Sequence, residues 1–208
     1  DDLLINKERI KKICQLMKEN KIELIWGCQA RVDSIDIETL KIIKEAGCMQ
    51  VQFGFESGSQ RILDILKNRT TTVEQNAQAI KLCKQVGISP FATFMLGNPT
   101  ETVEDIQATF QFIKNNDIDR IGILITTPFP GTKLWEWCKE HNLIPEKIDY
   151  SIFKTNQIAI PACDTIPPKI VEQFRQEIES YLHSPTLSEL WDTIRGNPFL
   201  LYKVIRHP

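Results

Sequence analysis

Apolar residues recur along this chain with two alternating periods, one helical and one of strands. From Asn6, a side chain suited to capping, Ile10, Ile13, Cys14 and Met17 share one face of a helix running to about Asn20. Ile22-Glu23-Leu24-Ile25-Trp26 then reads as a short strand. Asp36 caps a second helix carrying Leu40 and Ile43, and Gly47 ends it. Positions 49–55 alternate about Val51, Phe53 and Phe55, as a strand does. Thr72 and Gln75 form a capping box for a helix to Val86, closed by Gly87. Positions 91–96 predict a third strand, and Thr102 with Glu104 and Asp105 opens a helix to about Asn115. Ile121 to Ile125 is a continuous apolar run, the pattern of a strand covered on both faces.

The strands return every roughly 30 to 40 residues, the length of a strand, a helix and two loops. Repeated βα units build parallel sheets with right-handed crossovers, so an α/β fold is expected. The pattern breaks after residue 131. Ile144-Pro145, Pro161 and Pro167-Pro168 punctuate a loop-rich stretch, with helices expected near 168–182 and 186–195. Four parallel strands cannot close, and the first would carry an unpaired edge. Opening at Asp1-Asp2 therefore reads as beginning partway through a fold.

Composition narrows the function classes. The chain has 208 residues, 42% hydrophobic and 25% charged, an ordinary globular balance. A net charge of -2 offers no general grip on nucleic acid. No apolar run reaches the roughly 20 residues of a membrane span, and no leader is visible, so a cytoplasmic protein is expected. Cys14, Cys28, Cys48, Cys83, Cys138 and Cys163 stand singly, without the paired spacing of a zinc site, and read as reduced packing thiols.

Ligands of α/β folds gather beyond the carboxyl ends of the strands. There the chain places Gly27 to Asp33, Gly54 to Ser59, Gly97 to Thr102 and Thr126 to Thr132. Glu56 and Ser57 can bond ribose hydroxyls, with Gly54 and Gly58 admitting a ligand to the backbone; the competing reading makes Ser57 or Ser59 a helix cap. Gly97 permits close approach or makes a tight turn. Glu101 reads as a charge at a helix N-terminus. Arg31 can hold a carboxylate through two bonds or serve as a structural ion-pair partner. Asp1 and Asp2 read as a frayed terminus if the chain starts there. His141, His183 and His207 lack companion ligands.

In order, these strand ends resemble the radical S-adenosylmethionine enzymes, in particular their cobalamin-domain-containing branch. Asp1-Asp2 resembles the end of that branch's second barrel strand, and Trp26-x-Cys28-x-x-Arg31-x-Asp33 its third. Gly54 to Gln60 resembles the fourth-strand signature, Phe94 to Thr102 the fifth, and Pro128 to Thr132 the segment after the sixth. The resemblance covers roughly residues 1–135. It implies a partial, incomplete TIM-type βα barrel over 1–135, truncated at its amino-terminal side, with a loop-rich and helical extension over 136–208. It implies a [4Fe-4S] cluster on three cysteines and S-adenosylmethionine cleaved to a 5′-deoxyadenosyl radical, with cobalamin in an upstream domain as a further expectation. By motif match, Asp1 and Asp2 stand where the methionyl amino group is held, Glu56 and Ser57 face the ribose or methionyl end, and Gly97 lines the adenine side. The motif has Gly where this chain has Thr100. The basic residue expected for the methionyl carboxylate falls at Asn68, leaving Lys67 and Arg69 as open alternatives.

The C-x-x-x-C-x-x-C cluster loop is absent from these 208 residues. The expectation is an enzyme whose missing amino-terminal portion is a partner in the site, acting on an unknown substrate, with the isolated chain inactive. The alternative is a non-catalytic barrel remnant that pairs through its exposed sheet edge. An aldolase or phosphate-binding isomerase would need a strand-end lysine or glycine-rich phosphate loop, and neither is evident. Basic, amphipathic 200–206 touching a membrane is the lesser reading.

Overall fold

The computed structural model describes residues 2–148 and 160–183. Its elements alternate as α1 (Lys7–Glu19), β1 (Trp26–Gln29), α2 (Ile37–Glu45), β2 (Cys48–Glu56), α3 (Gln60–Lys67), α4 (Val73–Gln85), β3 (Ser89–Leu96), α5 (Val103–Asn115), β4 (Arg120–Ile125), α6 (Lys133–Glu140) and α7 (Pro168–His183). The strands form one parallel sheet in the order β1-β2-β3-β4, an open section of a βα barrel. Residues up to Arg175 form one compact unit and a second begins at Gln176, within α7.

The expected caps are in place. Asn6 and Asp36 accept from Arg9 and Thr39 backbone N–H groups. Thr72–Gln75 and Thr102–Asp105 form reciprocal capping boxes. Each satisfies amides that the first helical turn leaves without partners.

Side chains on a strand alternate between faces, and parallel partners in register share a face. Val51, Phe53, Phe55, Ala92, Phe94, Leu96, Ile123 and Ile125 turn to the helices and are buried. At the centre, Phe53 stacks on Phe55, and Phe55 and Phe94 meet Phe112 of α5 edge-on. The opposite face carries Gln29, Gln50, Gln52, Gly54, Phe91 and Thr93, exposed or half-buried.

Four elements depart from the sequence expectation. The first strand starts at Trp26 and not at Ile22, and Ile22, Leu24 and Ile25 are 47%, 57% and 88% exposed. Its ladder partner β2 begins only at Cys48, opposite Trp26, so residues before Trp26 have no strand to pair with. Helices α3 and α6, of 8 residues each, add to the elements read from the sequence, α3 starting after the candidate cap Ser59. In β4 only Ile123 and Ile125 are buried, so the apolar run is covered on one face. The helix expected near 186–195 lies outside the described residues.

Truncating Phe55 to Ala should destabilise the protein by about 3–5 kcal/mol, through lost burial and a cavity among Phe53, Phe94 and Phe112. Gln52→Ala, on the open face, should stay within about 0.5 kcal/mol of wild type. Denaturant midpoints at constant m-value report both.

Candidate functional site

The carboxyl end of β2 is built around an unusual backbone. A bulge interrupts the β2–β3 register between Gly54 and Glu56, and Glu56 sits at φ 62, in the left-handed region. Such a conformation costs on the order of 1–3 kcal/mol and persists where its surroundings hold it. The Glu56 carboxyl lies back over the strand and meets Lys67 Nζ at 2.8 Å. A Cβ at Gly54 would press on the Glu56 carboxyl, so this glycine makes room for Glu56. A Cβ at Gly58 would lie 2.7 Å from Thr109 Cα, because α5 packs directly on the Gly58 backbone.

Ser57 turns away from the open face and is fully buried. Thr109 Oγ1 donates to the Asp105 carbonyl at 3.1 Å, which leaves Ser57 to donate to Thr109 at 3.1 Å. Ser57 Oγ in turn accepts the Ser59 N–H at 3.1 Å. Its hydroxyl is consumed in fastening the β2–α3 turn to α5.

Lys67 and Arg69, equivalent in the sequence, part company. Asn68 ends α3 in a left-handed cap at φ 50. Lys67, in the last turn, reaches Glu56, whereas Arg69 is 86% exposed and lies 3.9 Å from Asp64. Arg31 makes a two-pronged contact with Asp33, at 2.9 and 2.6 Å, so its carboxylate partner is internal. The Arg31 hydrogen bond holds the Asp33 carboxyl below its ordinary range, with a lesser contribution from the Lys67 charge.

Asp2 extends the sheet by one residue, bridging in parallel to Gln29. Its Oδ1 accepts from Leu4 N–H at 3.1 Å and Ser34 Oγ at 3.2 Å. Its Oδ2 is buried without a hydrogen-bond partner. Such an atom normally finds a donor, since leaving a charged group's bond unmade costs more than about 1–3 kcal/mol. Asp1 lies outside the described residues. Asp2 acts electrostatically on Arg31, and Lys67 on Asp33, so Asp2, Arg31, Asp33, Lys67 and Glu56 form one linked group of three acids and two bases. The missing partner of Asp2 Oδ2 and the acidic surplus both suit a cationic donor.

At the end of β3, Gly97 (φ 78) has Val171 3.4 Å from where a Cβ would be, so the first turn of α7 covers it. Glu101 is fully buried, and not the helix-terminal charge its position suggested. It accepts from Gly97 N–H at 2.7 Å, Asn98 N–H at 3.0 Å and Asn98 Nδ2 at 3.1 Å. Burial pushes its carboxyl up to about 7, against the pull of those donors. Asn98 Oδ1 accepts from Thr126 at 2.7 Å, joining the ends of β3 and β4. Thr100 keeps the left-handed backbone (φ 59) that glycine would adopt there. Arg61 grips its hydroxyl at 3.2 Å and its carbonyl at 2.7 Å, and Asp164 accepts its N–H at 3.0 Å. The Gly97-Asn98-x-x-Glu101 spacing is the one trace of this turn in the sequence; Arg61, Thr109 and Asp164 are remote and left none.

Among the described residues, no three His, Cys, Asp or Glu side chains are placed to share a metal ion. No described helix is long and apolar enough to cross a membrane.

Comparison with known proteins agrees with this architecture. Residues 1–113 match the family model of the radical SAM superfamily. An uncharacterised methyltransferase of Pyrococcus horikoshii is 37% identical over 69% of this chain and 31% of its own length. The bacteriochlorophyllide d C-8(2)-methyltransferase of Chlorobaculum tepidum is 26% identical over 99% of the chain and 45% of its own. This chain thus spans less than half the length of either relative. The radical S-adenosylmethionine methyltransferase of Kitasatospora setae, solved with cobalamin and a [4Fe-4S] cluster bound, shares the fold, with a TM-score of 0.55 at 19% identity over 64% of this chain and 28% of that one.

Gly58→Ala should destabilise by about 1–3 kcal/mol, as overpacking does, and Gly54→Ala should displace Glu56 from Lys67; thermal unfolding and a crystal structure of the second variant check these. Asp105 is pushed up by burial, but bonds from Arg61, Ser59 and Thr102 overcome this and hold it at about 2. Its stabilisation is present above the ordinary value of 3.8 and lost as pH falls towards 2, so Asp105→Asn should flatten Tm against pH in that window. Glu101 has the opposite sign. Its stabilising effect holds below 4.5 and is lost as pH rises to about 7, and Glu101→Gln should remove that slope.

Proposed function

Because the chain belongs to the radical SAM superfamily, we propose that it forms the part of a radical enzyme that binds S-adenosylmethionine at the carboxyl ends of β1 and β2. Enzymes of this family use S-adenosylmethionine and a [4Fe-4S] cluster. The single observation that carries the reading is Asp2 Oδ2, a buried carboxyl oxygen without a partner. A methionyl ammonium is a donor of the right charge for it. The matching acidic residue Asp1 is assigned to the same group by its place in the motif.

The other residues divide by what their contacts leave available. Glu56, lying over the open face with one oxygen on Lys67, can accept from ribose hydroxyls. Lys67 carries the positive charge for the methionyl carboxylate, whereas Arg31 is neutralised by Asp33. Ser57 holds the turn that presents Glu56. Gly97 and its Glu101-capped turn shape the adenine side, under the cover of Val171. Arg69, turned to Asp64, is left outside the site.

With a reduced iron–sulfur cluster, bound S-adenosylmethionine would supply 5′-deoxyadenosyl radical chemistry to a substrate. The described cysteines do not fit such a cluster, since no three of them are placed to share a metal ion. Its ligands are assigned to a longer protein, of which this chain is the S-adenosylmethionine-binding portion, and the isolated chain is inactive. The names of the matched relatives favour methyl transfer among the family's chemistries, with cobalamin in a further domain.

Titration calorimetry tests the assignment. Asp2→Asn should weaken S-adenosylmethionine binding at least about tenfold, the loss expected for one charged hydrogen bond. Ser57→Ala should lower Tm while leaving affinity nearly unchanged. Wild-type affinity in Asp2→Asn would exclude the site. Anaerobic reconstitution of this chain should give no bound iron, and about four irons per chain would overturn the assignment of the ligands elsewhere.

A further inference from the structure

We propose that Arg120 holds a carboxylate group of the substrate, on the same open face of the sheet as the Asp2–Glu56 group and at its far side. The inference rests on the reading that this face takes S-adenosylmethionine at its Asp2–Glu56 end, and deepens it by naming the substrate's chemistry.

The register makes the placement. Gln29, Gln52, Phe91 and Arg120 are successive Cα partners, so they stand in one row across all four strands. Asp2 continues the row through its bridge to Gln29. Four inter-strand steps of about 4.8 Å set Arg120 roughly 19 Å from Asp2 along the sheet. A groove of about 550 Å³ follows this row, floored by Gln29, Gln50, Gln52, Phe91 and Arg120. That volume is in the range of small-molecule sites.

The groove's electrostatics select the ligand. The Arg120 guanidinium lies over the Phe91 ring, 5.5 Å from its centroid, and donates a long bond of 3.4 Å to Gln50 Oε1. These contacts orient the group without neutralising it. The acids nearest in sequence, Asp117 and Asp119, are both paired with Lys84 of α4. Among the described residues no carboxylate pairs with Arg120. The rest of the lining, glutamine amides, the Phe91 ring, Leu3, Gly27 and the Cys28 thiol, carries no formal charge and so neither repels nor neutralises an anion.

One guanidinium with amide neighbours matches a planar monoanion, because the two acceptor oxygens of a carboxylate fit the two-pronged guanidinium edge. A phosphate, with nearly two charges, takes clustered cations or a helix N-terminus, and the groove offers neither. A substrate anchored at Arg120 extends along the glutamine row towards the cofactor end. Its carboxylate is thus a positioning handle, remote from the bond that reacts.

The probes are 2-naphthoate, 2-naphthamide and 2-naphthyl phosphate, titrated into the protein and its Arg120→Gln variant by ligand-observed NMR, with S-adenosylmethionine affinity measured in parallel. Naphthoate should bind the wild type saturably and at least about tenfold more weakly to Arg120→Gln, as loss of a charge-assisted contact requires. The amide should bind more weakly than the acid, and equally to both proteins. Unchanged S-adenosylmethionine affinity and Tm in the variant support a recognition role. The proposal falls if naphthoate shows no saturable binding, if it binds both proteins alike, if the phosphate binds as tightly as the acid, or if Tm drops in the variant, which marks Arg120 as structural. Naphthoate discrimination without S-adenosylmethionine binding by either protein would remove the cofactor reading and leave the carboxylate site standing.

Discussion

A side chain on a strand can take only one of two faces, and in a parallel sheet that choice is shared by every partner in register. This constraint organises the whole molecule. Phe53 and Phe55 on β2, Phe94 on β3 and Ile123 on β4 go to the helices, and Gln52, Thr93 and Gly122 go to the other side. Sliding one strand by a residue would place phenylalanines on the open face and glutamines against α5. The apolar face therefore sets the register, and the register in turn sets which polar residues stand beside one another.

Where the strands end, the alternation must be broken to bring charged groups over the open face. The bulge at Gly54/Glu56 does this at β2. One extra residue re-aims Glu56, and its left-handed backbone is held from several sides. Lys67 takes its carboxyl, Asn76 donates to the Phe55 carbonyl at 3.3 Å, and the Ser57–Thr109 hydroxyl pair pins the following turn. The Glu101 carboxyl caps the end of β3 from within, and Arg61 holds Thr100 in a glycine-like conformation. Both strand ends are fastened by hydrogen bonds among buried polar groups, although Asn76 Oδ1 is left without a partner, and such fastening is what a site needs to hold a ligand in fixed geometry.

Most of the fold was legible in the chain. Helix caps at Asn6, Asp36, Thr72 and Thr102 act within three residues of themselves, so local sequence is enough to find them. The alternation through Val51, Phe53 and Phe55 named the buried face of β2. The apolar run before Trp26 misled, because pairing depends on where the neighbouring strand begins, and Cys48 is remote from it in sequence.

The sequence by itself determined the βα order, the caps, the strand-end motifs and the residue types gathered at each strand end, because each of these is a local pattern. Tertiary structure alone decided which of those residues are available. Lys67 and Arg69 differ only in which way a left-handed cap turns them. Ser57 is removed by a threonine on α5, and Arg31 is paired by Asp33. Asp2 Oδ2 and Arg120 stand out because nothing described answers the first with a hydrogen bond or the second with a carboxylate. Such a property belongs to the surroundings of a side chain, and those surroundings come from strands and helices far apart in the chain.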